Sequence, residues 1–216
     1  MSIGFENDNN SNDSLNRTNI YISGQFFNAY RSFEDLSASN SYSNRISEES
    51  ISTGGVELGS YIKLNDKFDL GIGVSFFGGG EQWSYFDSIS DSSFMYVNKY
   101  RQIAVPFRLH FHLGDELRWV TFLGVIPSSI LGRRYESSYT NDEGILTENE
   151  IETFQDNLNS FQLAATVGTG VSYQLGNASV FLLGEYRYHF TNTYTGLFLN
   201  HQQKLIGGSL GMTFSF

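Results

Sequence analysis

The sequence contains no cysteine, only 2 prolines and no long apolar run. The absence of cysteine excludes disulfide bonds but does not exclude an oxidising compartment. No stretch approaches the roughly 20 consecutive apolar residues that a membrane-spanning helix needs. If the protein lies in a membrane, it must therefore cross as a closed barrel, because only helices and closed barrels pair all of their backbone groups in lipid.

Basic residues are also scarce, since 13 Lys and Arg stand against 23 Asp and Glu, a net charge of −10. Nucleic-acid binding depends on basic patches that face the phosphates, so we expect no nucleic-acid partner. The length of 216 residues is enough for one domain with a core, and no linker divides the chain.

What the sequence does contain is a repeated alternation of apolar and polar residues. In the segment from Gln102 to Leu113, one face is apolar and the other carries Arg108, His110 and His112. A period of two predicts a β-strand. A soluble barrel turns its apolar face inward and does not keep such polar rows outside on every strand. The pattern instead predicts an apolar wall that meets lipid and a narrow polar lumen.

Eight segments follow this scheme, although the fifth is apolar on both faces and its register is not predicted. The segments are 19–28, 55–64, 68–77, 102–113, 117–131, 161–175, 179–190 and 204–216. Tight turns follow the second, fourth and sixth. Long polar loops are predicted near 31–54, 78–101, 132–160 and 191–203. The sequence therefore predicts an all-β protein: a single eight-stranded, antiparallel, up-and-down transmembrane β-barrel over residues 18–216, with both termini on the rim of the short turns.

This layout is typical of bacterial outer-membrane barrels, which have periplasmic turns and extracellular loops. A soluble lipocalin-like barrel is the alternative, but Arg108, Glu185 and Arg187 would lie on the wrong face for it. We also predict the outward residues of the wall, which are Ile103, Val105, Phe107, Leu109, Val167, Val171, Leu182, Tyr186, Leu210 and Met212. Outer-membrane lipid and lipopolysaccharide are therefore expected partners.

The first 17 residues have no basic region and no apolar region, so they contain no secretory signal. We expect either a mature form with an added Met1 or a true start that lies upstream. The segment is rich in Asn, Asp and Ser, which predicts a disordered polar tail at 1–17.

Charged side chains on the polar face predict how the lumen is filled. The predicted network consists of Glu57, Lys63, Asp69, Arg108, Glu185 and Arg187, with His110 and His189 beside them. A charge inside a narrow barrel must be paired, and an eight-stranded barrel is just wide enough for its own side chains. We therefore expect ion pairs that close the lumen. The alternative is a proton or ion path lined by His110, His112 and His189.

Metal binding and catalysis have little support in the sequence. His110 and His112 point the same way, as metal ligands could, but no third ligand has a convincing spacing, so we expect no metal and no cofactor. No nucleophile motif such as G-x-S-x-G is present. His189 with a serine or glutamate from a loop is a combination expected by chance in a chain this rich in serine. We expect no enzyme.

The long loops carry the candidate interaction residues. Segment 132–160 contains Thr147 and Glu150 as a capping box, followed by apolar residues at helical spacing, which predicts a short amphipathic helix. Its acidic residues Glu148, Glu150 and Glu152 offer a site for divalent cations or a basic partner, although a solvated face beside lipopolysaccharide is the simpler interpretation. In segment 78–101, Trp83, Tyr85 and Phe86 indicate an interfacial belt in preference to a partner-binding patch.

Three groups of residues stand out, which are Val105-Pro106-Phe107, the run Gly168–Tyr173, and Glu185–Tyr188 followed by Thr191-Asn192. They resemble the PorT-type, OmpA-like small outer-membrane β-barrel family of Bacteroidota. The resemblance covers residues 18–216 and implies a small outer-membrane barrel; some members serve type IX secretion. We expect a non-enzymatic structural or accessory subunit that binds other envelope proteins through its loops or lipid-facing wall. A small pore or transporter, or a surface adhesin, is the alternative.

Overall fold

The computed structural model describes residues 18–35, 47–87, 91–140, 144, 146–152, 158–195 and 199–215, so the predicted tail at 1–17 lies outside the described residues. The strands are β1 Thr18–Asp35, β2 Ser47–Glu49, β3 Ile51–Lys63, β4 Phe68–Asp87, β5 Ser92–Ala104, β6 Phe107–Leu113, β7 Leu117–Thr140, β8 Leu146–Glu152, β9 Phe161–Leu175, β10 Ala178–His189 and β11 Leu199–Ser215. No helix within these ranges is long and apolar enough to cross a membrane.

The strands form one antiparallel sheet that closes into a ring of eight, which confirms the predicted eight-stranded barrel. The ring runs β1, β3, β4, β5 with β6, β7, β9, β10 and β11, and then returns to β1. The first and last strands close it, from Asn19 opposite Ser215 to Asp35 opposite Leu199. The start of β1 and the end of β11 therefore meet at the end of the barrel that carries the short turns, which we call the turn rim. We call the opposite end the hairpin rim.

Strands β5 and β6 are two halves of one barrel strand, interrupted at Val105 and Pro106. Proline has no backbone N–H to donate, so it cannot take a full place in a central strand. Its neighbours nevertheless continue the pairing. The N–H of Gly73 donates to the Pro106 carbonyl at 3.2 Å, and the N–H of Val105 donates to the Pro127 carbonyl at 2.9 Å. The wall stays closed around the break.

The outer face of the barrel is apolar at mid-height, as the alternation predicts. All ten residues predicted to point outward are exposed, from 36% for Leu109 to 55% for Leu210. The structure also assigns the register of β7, which the sequence left open. Its Val120 and Phe122 are buried inside, whereas Leu123 is 64% exposed outside.

The long loops predicted at 78–101 and 132–160 are corrected by the structure, because most of their residues are in strands. Strand β4 continues to Asp87, and it pairs with β5 without interruption up to Ser92. Strand β7 continues to Thr140. The same holds in part for 31–54, since β1 extends to Asp35 and β3 begins at Ile51. Extended hairpins satisfy their backbone groups across the strand pair, so they can project well beyond the barrel wall.

The short helix predicted in loop three is wrong for the residues that the structure describes. Strand β8 contains both members of the proposed capping box, Thr147 and Glu150, and pairs with the end of β7. The projecting end of β7 offers a row of backbone donors and acceptors to an adjacent strand. An isolated helix of this length is marginal in water, so pairing is preferred. Residues 153–157 lie outside the described residues.

Candidate functional site

Four buried charges lie in the middle of the lumen and form one connected group, which we call the central network. The guanidinium of Arg108 contacts both Glu57 and Glu185, with its Nη2 at 3.0 Å from Glu57 Oε2 and 3.3 Å from Glu185 Oε1. The Nε of Arg187 donates to Glu185 Oε1 at 2.7 Å. Arg187 is fully buried. Each carboxylate therefore faces at least one guanidinium, as a buried charge requires.

Neutral side chains satisfy the remaining acceptors of the network. The Tyr21 hydroxyl and the Gln25 amide each donate to Glu57 at 2.6 Å. The Thr166 hydroxyl donates to Glu185 at 2.7 Å. These donors come from β1 and β9, whereas the charged groups come from β3, β6 and β10. The network therefore ties together strands that are not neighbours in the ring.

Two apolar clusters enclose the central network. The cluster nearer the hairpin rim consists of Phe27, Ala29, Phe77, Ala104, Ile126, Ala164 and Leu205. The cluster nearer the turn rim consists of Tyr21, Val120, Phe122, Phe181 and Leu183. The Arg187 guanidinium lies 4.3 Å from the Phe27 ring centre, a cation–π distance. The cavity beside Arg108 measures about 10 Å³, room for at most one water molecule. The lumen is filled at mid-height.

The other predicted lumen residues lie apart from the central network. Lys63 pairs with Asp66 of the adjacent turn at 2.8 Å, and Asp69 lies 3.0 Å from His112. His110 packs against the Phe122 ring, with ring centres 5.1 Å apart. Neither Lys63 nor Asp69 reaches the network, because both flank the β3–β4 turn.

His189 is also separate from the network. Only 1% of it is exposed, and its ring nitrogens have no hydrogen-bond partner within the described ranges. In the same ranges, no three His, Asp or Glu side chains converge as metal ligands would.

A second buried cluster lies inside the barrel towards the hairpin rim, and sequence reasoning missed it. Its centre is Glu81, which accepts hydrogen bonds from Asn98 at 2.5 Å, Tyr100 at 3.0 Å and Tyr194 at 3.3 Å, and from His201. Arg31 lies 3.8 Å away. We call this the rim cluster.

The alternation contained the signal for this cluster. Glu81 is four residues from the inward Phe77, and His201 is four residues from the inward Leu205. Strands drawn a few residues longer would have placed both inside.

The protonation of Glu81 depends on these contacts. Burial favours the neutral acid and would raise the pKa of Glu81. The hydrogen bond and charge of His201, with the charge of Arg31 and the Asn98 amide, instead lower this pKa from 4.5 to about 2. The carboxylate therefore stays ionised at neutral pH. The hydroxyl of Tyr100 lies beside it, and burial followed by the Glu81 charge raises the pKa of Tyr100 well above 10.0.

Beyond the rim cluster, two rows of stacked aromatic rings cross the extended hairpins. One row stacks Trp83 on Tyr96, with ring centres 5.2 Å apart, and continues to Tyr135 at 6.2 Å. The other row stacks Tyr85 on Phe94 at 5.5 Å and continues to Tyr139 at 5.9 Å. These six rings form the aromatic rows.

Trp83 and Tyr85, which we predict to belong to an interfacial belt, are members of the aromatic rows. Trp83 and Tyr85 are two and four residues from the buried Glu81 in the same strand, so they lie on the continuation of the lumen face. Phe86, which is 45% exposed, lies on the opposite face. Of the acidic candidates in β8, the backbone register pairs Glu150 with Glu136 and Glu152 with Arg134, and Glu148 is opposite Ser138.

Comparisons with known proteins support the fold. No protein-family model and no curated sequence matches the chain. Among solved structures, the outer-membrane protein OprG of Pseudomonas aeruginosa is similar with a TM-score of 0.50 and 13% identity, covering 93% of this chain and 97% of OprG. The outer-membrane protease OmpT of Escherichia coli has a TM-score of 0.46 and 8% identity, covering 94% of this chain and 98% of OmpT. Ail of Yersinia pestis, in complex with the heparin analogue sucrose octasulfate, has a TM-score of 0.38 and 10% identity, covering 92% of this chain and 99% of Ail. The similarity to OprG supports the barrel fold, and at 13% identity it assigns no activity, since one fold serves many functions.

Proposed function

We propose that the protein is a non-enzymatic barrel of the bacterial outer membrane that conducts no ions and acts as a structural or accessory subunit. The observation that carries this proposal is the filled lumen. The central network lies between two apolar clusters, and the cavity beside it holds at most one water molecule. A pore needs a continuous water path, and this arrangement disfavours one.

The apolar outer wall supports the membrane location. Exposed side chains such as Ile22, Val56, Leu123 and Leu182 are each more than half exposed at mid-height. A soluble protein rarely leaves so large an apolar surface in water, whereas a membrane barrel turns it to lipid. Outer-membrane lipid and lipopolysaccharide are the surroundings that this wall fits.

The extended hairpins are the surface that we propose for protein partners. They carry the aromatic rows, and aromatic residues are enriched at protein interfaces because they combine large apolar area with few rotatable bonds. Tyr85 and Tyr139 are 37% and 38% exposed. The resemblance to PorT-type barrels of Bacteroidota makes other envelope proteins, including those of type IX secretion, the partner class to test first.

Single-channel recording tests the closed lumen. The purified protein is inserted into a planar bilayer, with a water-filled porin as the positive control and a protein-free bilayer as the negative control. We expect no steady unitary current at neutral pH. A stable ion current that persists after repeated purification contradicts the proposal and identifies the protein as a pore.

Crosslinking in native membranes tests the partner. We expect envelope proteins to be captured by the wild type and lost in a Trp83→Ala/Tyr96→Ala variant, with Phe86→Ala on the opposite face as the matched control. If instead intact cells carrying the protein bind to foreign surfaces and no envelope protein is captured, the protein is an adhesin and the accessory role is wrong.

A further inference from the structure

A large cavity lies inside the barrel at the turn rim, and we call it the turn-end cavity. Its volume is about 490 Å³, within the range of ordinary small-molecule sites. The turn residues Asp66, Gly114 and Asp115 line it, so it opens at that end of the barrel. The inner limit of this cavity is marked by the residues that also line the small cavity of about 10 Å³ beside the central network, which are Tyr61, His110, Phe181 and Leu183.

The basic residues of the turn-end cavity differ in their partners. Lys63 is neutralised by Asp66 at 2.8 Å, and His112 lies 3.0 Å from Asp69. Arg118 has no carboxylate partner within the described part of the chain, because its Nε donates to the backbone carbonyl of Asp115 at 2.8 Å. This bond holds the guanidinium in place without neutralising it.

The Nη1 and Nη2 edge of Arg118 is therefore available to a ligand. A guanidinium carries five N–H donors in a planar fork, and this fork matches a carboxylate with two parallel hydrogen bonds. Since the side chain is already fixed by Asp115, little rotational freedom remains to be lost when an anion binds.

The other walls suit the rest of a peptide. Asn19 has a buried Oδ1 with no hydrogen-bond partner in the described ranges, an acceptor that a backbone N–H would satisfy. Uncharged polar groups from β9, β10 and β11 line the same cavity, among them Ser172, Ser179 and Thr213. The buried rings and methyl groups of Phe181 and Leu183 offer an apolar contact.

We propose that the turn-end cavity binds the C-terminal end of a peptide. The terminal carboxylate lies on Arg118, a backbone N–H donates to Asn19 Oδ1, and an apolar terminal side chain packs against Phe181 and Leu183. The binding itself is independent of the proposed function. Only the compartment rests on it, since the turn rim of an outer-membrane barrel faces the periplasm.

Two synthetic probes test the site on the purified full-length protein in detergent. They are N-acetyl-Ala-Ala-Leu with a free carboxylate and the same peptide with a C-terminal carboxamide, titrated at neutral pH and followed by NMR. We expect the acid to bind at least about tenfold more tightly than the amide, a difference of roughly 1.4 kcal/mol. In the Arg118→Gln variant the two probes should bind equally. Arg101→Gln, an exposed arginine towards the hairpin rim, is the matched control and should keep the difference.

Three results overturn the proposal. The first is equal binding of acid and amide to the wild type, which removes the role of the carboxylate without recourse to any variant. The second is no binding of either probe. The third is inorganic phosphate binding as tightly as the acid peptide, which reduces the cavity to a general anion site. None of these results changes the expected absence of ion current, so the two proposals fail separately.

Discussion

The central network and the rim cluster both bury glutamates, but they neutralise them differently. In the centre, Glu57 and Glu185 form ion pairs with Arg108 and Arg187, so each carboxylate is neutralised by a guanidinium. At the hairpin rim, Glu81 receives its closest contacts from amide, hydroxyl and imidazole groups, and its nearest guanidinium is 3.8 Å away.

The difference follows from the surroundings of the two groups. The central network lies at the height of the apolar wall, where the cavity beside Arg108 holds at most one water molecule, so full ion pairing is required. The rim cluster lies beyond that wall and draws on Tyr194 from the connection between β10 and β11. Loss of one partner should therefore cost more unfolding free energy in the centre than at the rim.

The largest effect is expected from Glu185→Ala. Arg108 retains Glu57, but Arg187 loses its only carboxylate among the described residues and stays fully buried. Breaking a buried pair in this way costs about 3–5 kcal/mol of unfolding free energy. The double variant Glu185→Ala/Arg187→Met should recover most of the loss. Urea unfolding in lipid vesicles measures both.

A partly exposed pair at the hairpin rim supplies the matched control. Lys99 and Glu136 lie 3.0 Å apart with side chains 49% and 32% exposed. Glu136→Ala should cost only about 0–1 kcal/mol, because solvent screens such pairs. A similar loss for Glu136→Ala and Glu185→Ala would mean that the centre is not a special environment.

The next effect tests whether the centre lies within lipid. Val167 is 51% exposed at mid-height of the wall. Val167→Arg should destabilise the inserted barrel by roughly 2–4 kcal/mol, the usual cost of a cation at the midplane. Phe86→Arg, on the outward face of the extended β4, is the control and should cost much less. Urea unfolding in lipid vesicles measures the loss of unfolding free energy in both variants. Equal losses would mean that the wall faces water and not lipid.

The smallest effect is the pH dependence of the rim cluster. Since the pKa of Glu81 is about 2 in the folded protein and 4.5 ordinarily, its contribution is complete above pH 4.5 and is lost as the pH falls towards 2. At neutral pH, Glu81→Gln should cost about 2 kcal/mol. This difference from the wild type should shrink to near zero at pH 2. A difference that stays constant from pH 7 to pH 2 would show that the Glu81 charge is not stabilising.

The sequence predicted the barrel and the face of each central charge, because a strand has a side-chain period of two. Glu57, Arg108, Glu185 and Arg187 fall on the inner face by parity alone. The alternation of faces does not predict where a residue lies along the barrel axis. Lys63 shares that face but lies beside a turn, so it pairs with Asp66 instead of joining the network.

The length of the strands was the part that the sequence did not reveal. The polar residues of 78–101 and 132–160 resemble loop sequences, yet they pair across extended hairpins. Glu81 and the aromatic rows lie in these extensions, and His201 lies near the start of β11, within the predicted loop at 191–203. The polar composition of these stretches therefore predicts loops where the structure has strands. The point at which a strand ends depends on tertiary contacts, so it is less visible in the sequence than the side-chain period of two.

The seam between β1 and β11 has a consequence for how the molecule folds. It joins residues 19–35 to residues 199–215, the two most distant stretches of the described chain. The ring is incomplete until the final strand is in place, so the order of synthesis gives no early closed intermediate. Contacts between residues this far apart in sequence form slowly, because the entropy cost of closing a very long loop comes before the contacts stabilise the fold. Loss of β11 should therefore not leave a smaller barrel; it leaves two exposed sheet edges and a lumen open along its whole height.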